Sequence, residues 1–211
     1  MNLRDYVGWH DDYERLGSRL HLRLVVVRDL LAGALDELPD GPLRVISVCA
    51  GQGQDVISVA RRHRRGSDLV GRLVERDPDN AAAARAAIGA AGLCGLEVLE
   101  ADAGSSDAYA GACPADVVLV CGVLGNISDD EIELTLKFLP RLCATGAWVL
   151  WTRHPRPVGI IATIEGWLVE AGFEPRALVV PDAPLFGVGA ARLAGPAQAF
   201  QSGKRLFRFR R

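Results

Sequence analysis

The chain has 211 residues, of which 49% are hydrophobic and 24% are charged, and its net charge at pH 7 is −2. These values predict one α/β domain with a substantial core, and they exclude the strong basic field that would indicate nucleic acid or a membrane as a partner. No apolar run approaches the ~20 residues of a membrane-spanning helix, and the N-terminus lacks a signal-peptide pattern, so we expect a cytoplasmic protein.

Short apolar runs alternate with helical patterns along the chain. Residues 10–38 carry apolar side chains at intervals of three and four, which predicts one or two helices before a break at residues 39–42. The predicted strands are 43–49, 69–75, 95–100, 115–121, 146–152, about 173–180, and 205–209. The predicted helices are 53–64, 77–91, 129–142 and 158–171. The Gly/Pro/Ala-rich segment 184–197 fits either a strand or a loop. This alternation is typical of a mostly parallel sheet with helices on both faces.

The five cysteines and one basic run have simple interpretations. The cysteines form no Cys-x-x-Cys pair, which argues against a zinc site and a disulfide framework, so we expect no metal. Residues 61–65, Arg-Arg-His-Arg-Arg, lie at the predicted C-terminus of the first crossover helix. Cations there complement the helix dipole and are expected to be solvated rather than to bind nucleic acid.

The turn after the first strand is the most informative part of the chain. Strand-forming residues end at Gly51-Gln52-Gly53, a helical pattern follows, and Glu75 closes the second strand 22 positions after Gly53. A spacing of about 20 residues from glycine turn to acid is typical of a sheet that binds a nucleoside and uses the acid for ribose hydroxyls. The glycines allow close approach of the backbone, and the helix N-terminus offers N–H groups to a carboxylate.

Other nucleotide motifs and a nucleophile motif fit less well. A dinucleotide fingerprint needs a third small residue where this chain has Val56. The chain contains neither a P-loop pattern nor a Gly-x-Ser-x-Gly nucleophile elbow.

Four landmarks of the chain resemble the class I S-adenosylmethionine (SAM)-dependent methyltransferases, over roughly residues 43–181. The family's acid-x-Gly-x-Gly-x-Gly turn corresponds to residues 47–53, and its acid at the end of strand 2 corresponds to Glu75. Its acid after strand 3 corresponds to Asp102, and its polar turn after strand 4 corresponds to residues 121–127.

The chain also departs from that pattern. Ser47 and Cys49 stand where the family has an acid and a glycine. The departure affects the methionine end of the cofactor site, where Asp55 is a candidate to supply the missing acid.

The resemblance implies a doubly wound, mostly parallel seven-stranded sheet in the order 3-2-1-4-5-7-6, with the last strand antiparallel. It implies residues 1–40 as a helical cap or lid and residues 41–211 as a SAM-binding domain, with SAM as cofactor and S-adenosylhomocysteine (SAH) as product. The sequence leaves the oligomeric state open, with a homodimer as one expectation. The residues it assigns to the cofactor are Ser47, Ala50, Gly51, Gly53, Asp55, Glu75, Arg76, Asp102, Ala103, Cys121 and Gly122.

The acceptor is expected at the carboxyl ends of strands 4 and 5, where open α/β sheets bind ligands. His154 is the only one of four histidines that follows a central strand, and its pKa range suits a general base. Asn126 is the second candidate catalytic residue, and it would orient donor or acceptor. Tyr13, Trp151 and Arg153 are candidate substrate contacts; an arginine suits a carboxylate or phosphate, whereas Trp151 equally fits the core.

The function that these patterns favour is methyl transfer from SAM to a small molecule, for example in specialised metabolism. Two alternatives stay open at this point: a non-catalytic SAM- or SAH-binding module, and an aminopropyltransferase-like enzyme on the same fold. An aminopropyltransferase needs an acidic pocket for a polyamine, and the turn after strand 4 supplies no carboxylate before Asp129.

Overall fold

The structure is a computed structural model, and it describes residues 15–210. The helices of this part are α1 (Arg19–Glu37), α2 (Gln54–Ala60), α3 (Pro78–Ala90), α4 (Asp129–Phe138) and α5 (Ile160–Glu170). Its strands are β1 (Leu43–Val48), β2 (Leu69–Glu75), β3 (Leu96–Glu100), β4 (Ala115–Val120), β5 (Cys143–Arg153), β6 (Phe173–Val179) and β7 (Gly187–Leu193). They form one sheet in the order β3-β2-β1-β4-β5-β7-β6, with β7 antiparallel to both neighbours. The predicted fold class and strand order are confirmed.

The centre of the sheet is apolar on both faces. Val45 and Ile46 of β1, like Val117 and Val118 of β4, are fully buried on alternate faces, as expected for parallel strands covered by helices on both sides. The leucines of α1 pack with β1, β4 and α2 in one core cluster, whereas α4 and α5 pack in the other. Helix α1 is therefore an integral layer of the fold, and the proposed division of the chain at residue 40 stays a prediction.

Two of the helices that follow strands, α3 and α4, start at side-chain caps. The Asp77 side chain accepts hydrogen bonds from the backbone N–H groups of Asp79 and Asn80 at the start of α3, as an N-cap does. Ser128 and Glu131 form a reciprocal capping box at α4. These caps fix where α3 begins after β2 and where α4 begins after β4.

The prediction of a final strand at residues 205–209 is wrong, because the seventh strand is Gly187–Leu193. Residues 205–209 contribute only an isolated bridge between Ser105 and Arg205. A Cβ on Gly189 would lie 2.3 Å from the ring of Trp151, its pairing partner on β5. Strand β7 therefore needs glycine at this position. The small residues of β7 have low β-propensity, which is why the sequence of this segment fits either a strand or a loop.

The basic run also differs from its prediction. Helix α2 ends at Ala60 rather than near residue 64, and Arg65 is only 4% exposed. Its guanidinium donates to the carbonyl oxygens of Leu38 and Gly41 at 2.8 Å and pairs with Asp68 at 3.0 Å. Arg65 thus satisfies backbone carbonyls after α1, and it is not a solvated cation at the end of α2.

Residues 15–210 lack two features that would indicate a membrane or metal role. No helix in that range is long and apolar enough to cross a membrane. The same residues contain no group of three or more His, Cys, Asp or Glu side chains that could hold a metal ion.

Candidate functional site

A cavity of about 530 Å³ opens at the carboxyl ends of β1, β2, β4 and β5. This is the point where the connections reverse direction across the sheet, and ligands of doubly wound folds bind there. Its walls come from the turns after β1 and β4, the ends of β2 and β5, α1, the loop before β7 and the C-terminal segment. The sequence-predicted residues that line it are Ala50, Gly51, Asp55, Glu75, Cys121, Gly122, Asn126, Arg153 and His154.

The turn after β1 has three residues with left-handed backbone. The φ angles are 54° at Cys49, 56° at Gly51 and 69° at Gly53. A Cβ on Gly53 would lie 2.7 Å from Cδ2 of Leu73, so this glycine permits α2 to approach β2. Cys49 takes the conformation that the family assigns to a glycine, and burial raises the pKa of its thiol, which is therefore neutral.

Glu75 lines the cavity with a carboxylate that the backbone already orients. Its Oε2 accepts from the Gly51 N–H at 2.7 Å, and its Oε1 accepts from the N–H groups of Arg76 and Asp77 at 2.9 and 2.8 Å. A carboxylate offers about four acceptor sites, so these bonds leave at least one lone pair for a ligand hydroxyl. Arg76 itself is exposed and does not line the cavity.

Asp55, the candidate for the acid that the first motif lacks, lies in the first turn of α2. Ser47 is 2% exposed and does not line the cavity, whereas Asp55 does. Burial raises the pKa of the Asp55 carboxyl, and the Val56 N–H bond and the Arg28 charge lower it in part. Arg28 also donates to the carbonyl oxygen of Gln54 at 2.9 Å, which ties α1 to this turn.

The turn after β4 is held by polar contacts within the site. The Gly122 N–H donates to Oγ1 of Thr152 at 2.8 Å, and Nδ2 of Asn126 donates to the Gly122 carbonyl oxygen at 2.7 Å. Asn126 thus holds the turn's backbone at the cavity wall. Burial raises the pKa of the Cys121 thiol, so it is neutral as well.

Two predicted cofactor residues after β3 lie outside the cavity lining. Asp102 pairs with Arg205 at 2.5 Å and accepts from the Gly104 N–H at 2.9 Å. Burial raises the pKa of Asp102, but these two partners together hold it below its ordinary value. Ala103 is buried under the same C-terminal segment, because Leu206 donates to the Gly104 carbonyl oxygen at 2.8 Å.

The end of β5 carries the predicted acceptor residues. Burial lowers the pKa of His154, and the charges of Arg19, Arg153 and Arg156 lower it further. The Arg156 N–H donates to Nδ1 of His154 at 3.3 Å. In the neutral ring the proton is therefore on Nε2, which is then a donor.

Trp151 packs in the core of the fold, and its assignment as a substrate contact stays a prediction that this position does not favour. It is 1% exposed and does not line the cavity. Tyr13 lies outside the described residues.

Several cavity residues escaped the sequence analysis. They are Arg19, Leu20, Arg23, Leu24, Gln52, Gln54, Asn80, Gly125, Thr152, Leu185, Phe186 and Phe209. The α1 members lie on a helix whose leucine pattern predicts only its packed face, and the C-terminal members reach the cavity only through tertiary packing. Gln52 lies inside the motif itself, and its position was the one available signal.

The fold is that of the class I methyltransferases. No protein-family model and no curated protein matches the chain. An O-methyltransferase family protein from Burkholderia thailandensis is 20% identical with a TM-score of 0.65, covering 94% of this chain and 60% of that one. This chain therefore spans less than two thirds of that protein.

Two further solved structures have similar lengths. Magnesium protoporphyrin IX methyltransferase from Synechocystis, with bound SAM, is 14% identical with a TM-score of 0.62, covering 91% of this chain and 98% of that one. A TehB-like SAM-dependent methyltransferase from Corynebacterium glutamicum is 13% identical with a TM-score of 0.60, covering 88% and 95%. At these identities the likeness establishes the fold.

Proposed function

We propose that the protein is a SAM-dependent methyltransferase that acts on a small molecule. The observation that carries this proposal is Glu75, whose carboxylate is oriented by three backbone N–H groups at the wall of the cavity. A carboxylate in that place suits a ribose hydroxyl. The cavity volume of about 530 Å³ is within the range of small-molecule sites.

The residues around the cavity fit SAM. The Gly51 and Gly122 backbones line it at positive φ, where a ligand can approach closely. Asp55 is the partner for the methionine ammonium, in place of the acid that Ser47 replaces. The neighbouring structures bound to or named for SAM support this cofactor.

When bound, SAM would supply an electrophilic methyl group on its sulfonium. The acceptor would bond to the methyl carbon as the carbon–sulfur bond breaks in line, with SAH as the leaving group. The protein mainly aligns the acceptor with that methyl group. Asn126 fixes the turn after β4 beside the acceptor space. We predict that His154 contacts the acceptor, either taking a proton from it as the base or donating from Nε2.

The cavity favours methyl over aminopropyl transfer. The residues of the turn after β4 that line it, Cys121, Gly122, Gly125 and Asn126, carry no carboxylate. The positive charge of Arg153 at the end of β5 would oppose a polyamine cation. A non-catalytic binding module has the same cofactor contacts and differs only in lacking turnover.

The first experiment measures SAM and SAH binding by calorimetry. Glu75→Gln is expected to weaken SAH binding about ten- to hundred-fold, which corresponds to the ~1–3 kcal/mol of a hydrogen bond to a charged group. The matched control is Glu97→Gln, on the neighbouring strand, where the exposed carboxylate pairs with Arg72 at 2.7 Å and does not line the cavity. If the SAH affinity of Glu75→Gln were unchanged, the proposal that Glu75 binds a ribose hydroxyl would be wrong.

A second experiment separates enzyme from module. Purified protein is incubated with methyl-labelled SAM and a pooled metabolite extract, and labelled product and released SAH are followed. A methyltransferase releases both, in amounts that depend on the extract. Tight SAM binding without SAH release in any extract would favour the module.

A further inference from the structure

One end of the cavity is lined by cations that do not pair within the described chain. Arg19 begins α1, and Arg153 ends β5; both line the cavity. Within residues 15–210, neither guanidinium lies within salt-bridge distance of a carboxylate, and the buried Nε of Arg153 has no hydrogen-bond partner. Buried polar atoms are normally satisfied, so Arg153 is poised for a partner that is not part of this segment.

The position of Arg19 is unfavourable for the helix that carries it. A cation at a helix N-terminus opposes the helix dipole, and the first turn of α1 contains no acidic residue to offset it. Helix stability therefore gives no reason for an arginine there. Arg19 lines the same cavity as Arg153 and His154, and its charge contributes to the lowered pKa of His154.

His154 adds a third donor to the same end. Its Nδ1 is occupied by the Arg156 N–H at 3.3 Å, which leaves Nε2–H as the free donor of the neutral ring. Two guanidinium groups and this N–H offer hydrogens and no acceptor. Such a set matches the oxygens of a carboxylate or phosphate.

These cations are distinct from those at the methionine end of the cavity. Arg23 acts electrostatically on Asp55 and Cys121, whereas Arg19 and Arg153 act on His154. The cofactor contacts proposed above, Glu75, Asp55 and the glycine turns, include neither Arg19 nor Arg153.

We propose that Arg19, Arg153 and His154 bind an anionic group, a carboxylate or a phosphate, on the methyl acceptor. This inference rests on the proposed function, since it names the acceptor class of that same site. Leu20, Phe186 and Phe209 line the same cavity, so the acceptor carries an apolar body next to its anion. Burial of that body adds affinity, and the anion sets its orientation.

The test compares three ligands of one shape on the SAH-loaded protein: 2-naphthoate, the neutral 2-naphthamide and 2-naphthyl phosphate. Dissociation constants are measured by calorimetry or by naphthyl fluorescence. At least one anion is expected to bind ten-fold or more tightly than the amide, and the preferred anion identifies carboxylate or phosphate. Equal binding of all three, or no binding, would overturn the proposal.

Variants then locate the anion. Arg153→Gln and Arg19→Gln are expected to reduce the anion preference at least five-fold while the SAH affinity stays within two-fold. The control Arg176→Gln removes an exposed arginine on β6 that does not line the cavity, and it should change neither value. If Arg153→Gln instead weakens SAH binding, the arginine holds the cofactor and the proposal is wrong.

The two proposals fail in different ways. Failure to bind SAM or SAH contradicts the proposed function, and the naphthyl series can still be run on the protein alone. Normal SAH binding without an anion preference contradicts only the acceptor class.

Discussion

The backbone N–H of Arg156 donates to Nδ1 of His154, and this single contact sets the tautomer of the neutral ring. A base at Nε2 would first require that bond to break, whereas a donor at Nε2 is ready as the structure stands. The prediction of His154 as the base stays a prediction, and the hydrogen bond adds a competing role for it. The sequence could identify the residue by its place after a central strand, but not the atom that faces the ligand.

The titration of His154 can be measured without a known acceptor. Burial and three nearby arginines lower its pKa below the ordinary value of about 6.5, so the ring is expected to be neutral at pH 7. The unfolded chain, in which the histidine pKa is higher, binds the proton first as pH falls. The stability that the neutral His154 ring contributes is therefore fully present above about pH 6.5 and declines as pH falls below it. Histidine-selective NMR should show the Nε2–H tautomer and a midpoint below 6.5, with His154→Gln as the assignment control. A midpoint above 6.5, or the Nδ1–H tautomer, would contradict this.

Substitutions of Cys49 can show whether backbone conformation or side-chain packing has the larger effect on stability in the turn after β1. Its φ of 54° is left-handed, a region that costs a β-branched side chain more than alanine. We expect Cys49→Val to be less stable than Cys49→Ala by about 1 kcal/mol or more, measured by denaturant unfolding. Packing alone predicts the opposite order, because valine buries more apolar surface. Higher stability of the valine variant would show that the turn tolerates the strain.

At the scale of elements, the sequence predicted most strands within two residues, because the central strands are continuous apolar runs bounded by turn residues. The sequence left residues 184–197 open between strand and loop for a tertiary reason: Gly187 and Gly189 of β7 are small because β5 lies against them. The alternating Leu-Phe pattern at 205–209 instead packs as a C-terminal segment, with Leu206 and Phe207 buried. A local sequence pattern indicates that residues are buried, but it does not indicate which part of the fold buries them.

Two glycines in different elements should respond to alanine with opposite signs. Nothing lies within 4 Å of a Cβ on Gly33 in α1, whereas a Cβ on Gly104 would lie 2.2 Å from the Phe207 carbonyl oxygen. Gly33→Ala is expected to raise the free energy of unfolding by about 0.5–1 kcal/mol, because alanine is the better helix former. Gly104→Ala is expected to lower it by about 1–3 kcal/mol, because the C-terminal segment must move.

Denaturant unfolding of both variants checks the pair. Gly33→Ala serves as the control for Gly104→Ala, since both add the same methyl group. A neutral Gly104→Ala would mean that the C-terminal segment is held loosely over the loop after β3. That result would also weaken the assignment of Phe209 to the cavity wall, since Phe209 belongs to the same segment.

At the scale of the whole molecule, the cavity joins elements that are far apart in sequence. Its lining extends from Arg19 on α1 to Phe209 near the C-terminus. A ligand there contacts α1, the turns at the sheet ends and Phe209 near the C-terminus, so binding is coupled to global unfolding. The sequence could place the motif turn and Glu75 but not α1 or the C-terminal segment, because no spacing rule connects them to the motif.

This coupling predicts a ligand-dependent melting temperature. At a SAH concentration 100 times the dissociation constant, linkage stabilises the folded chain by about 2.7 kcal/mol. For a domain of this size that is a rise in Tm of about 5–11 °C. Glu75→Gln at the same SAH concentration should show about half of the rise or less, because a dissociation constant ten-fold higher leaves about 1.4 kcal/mol of stabilisation. NADH, which needs the dinucleotide fingerprint that Val56 interrupts, should give no rise; a larger shift with NADH than with SAH would assign the cavity to a dinucleotide instead.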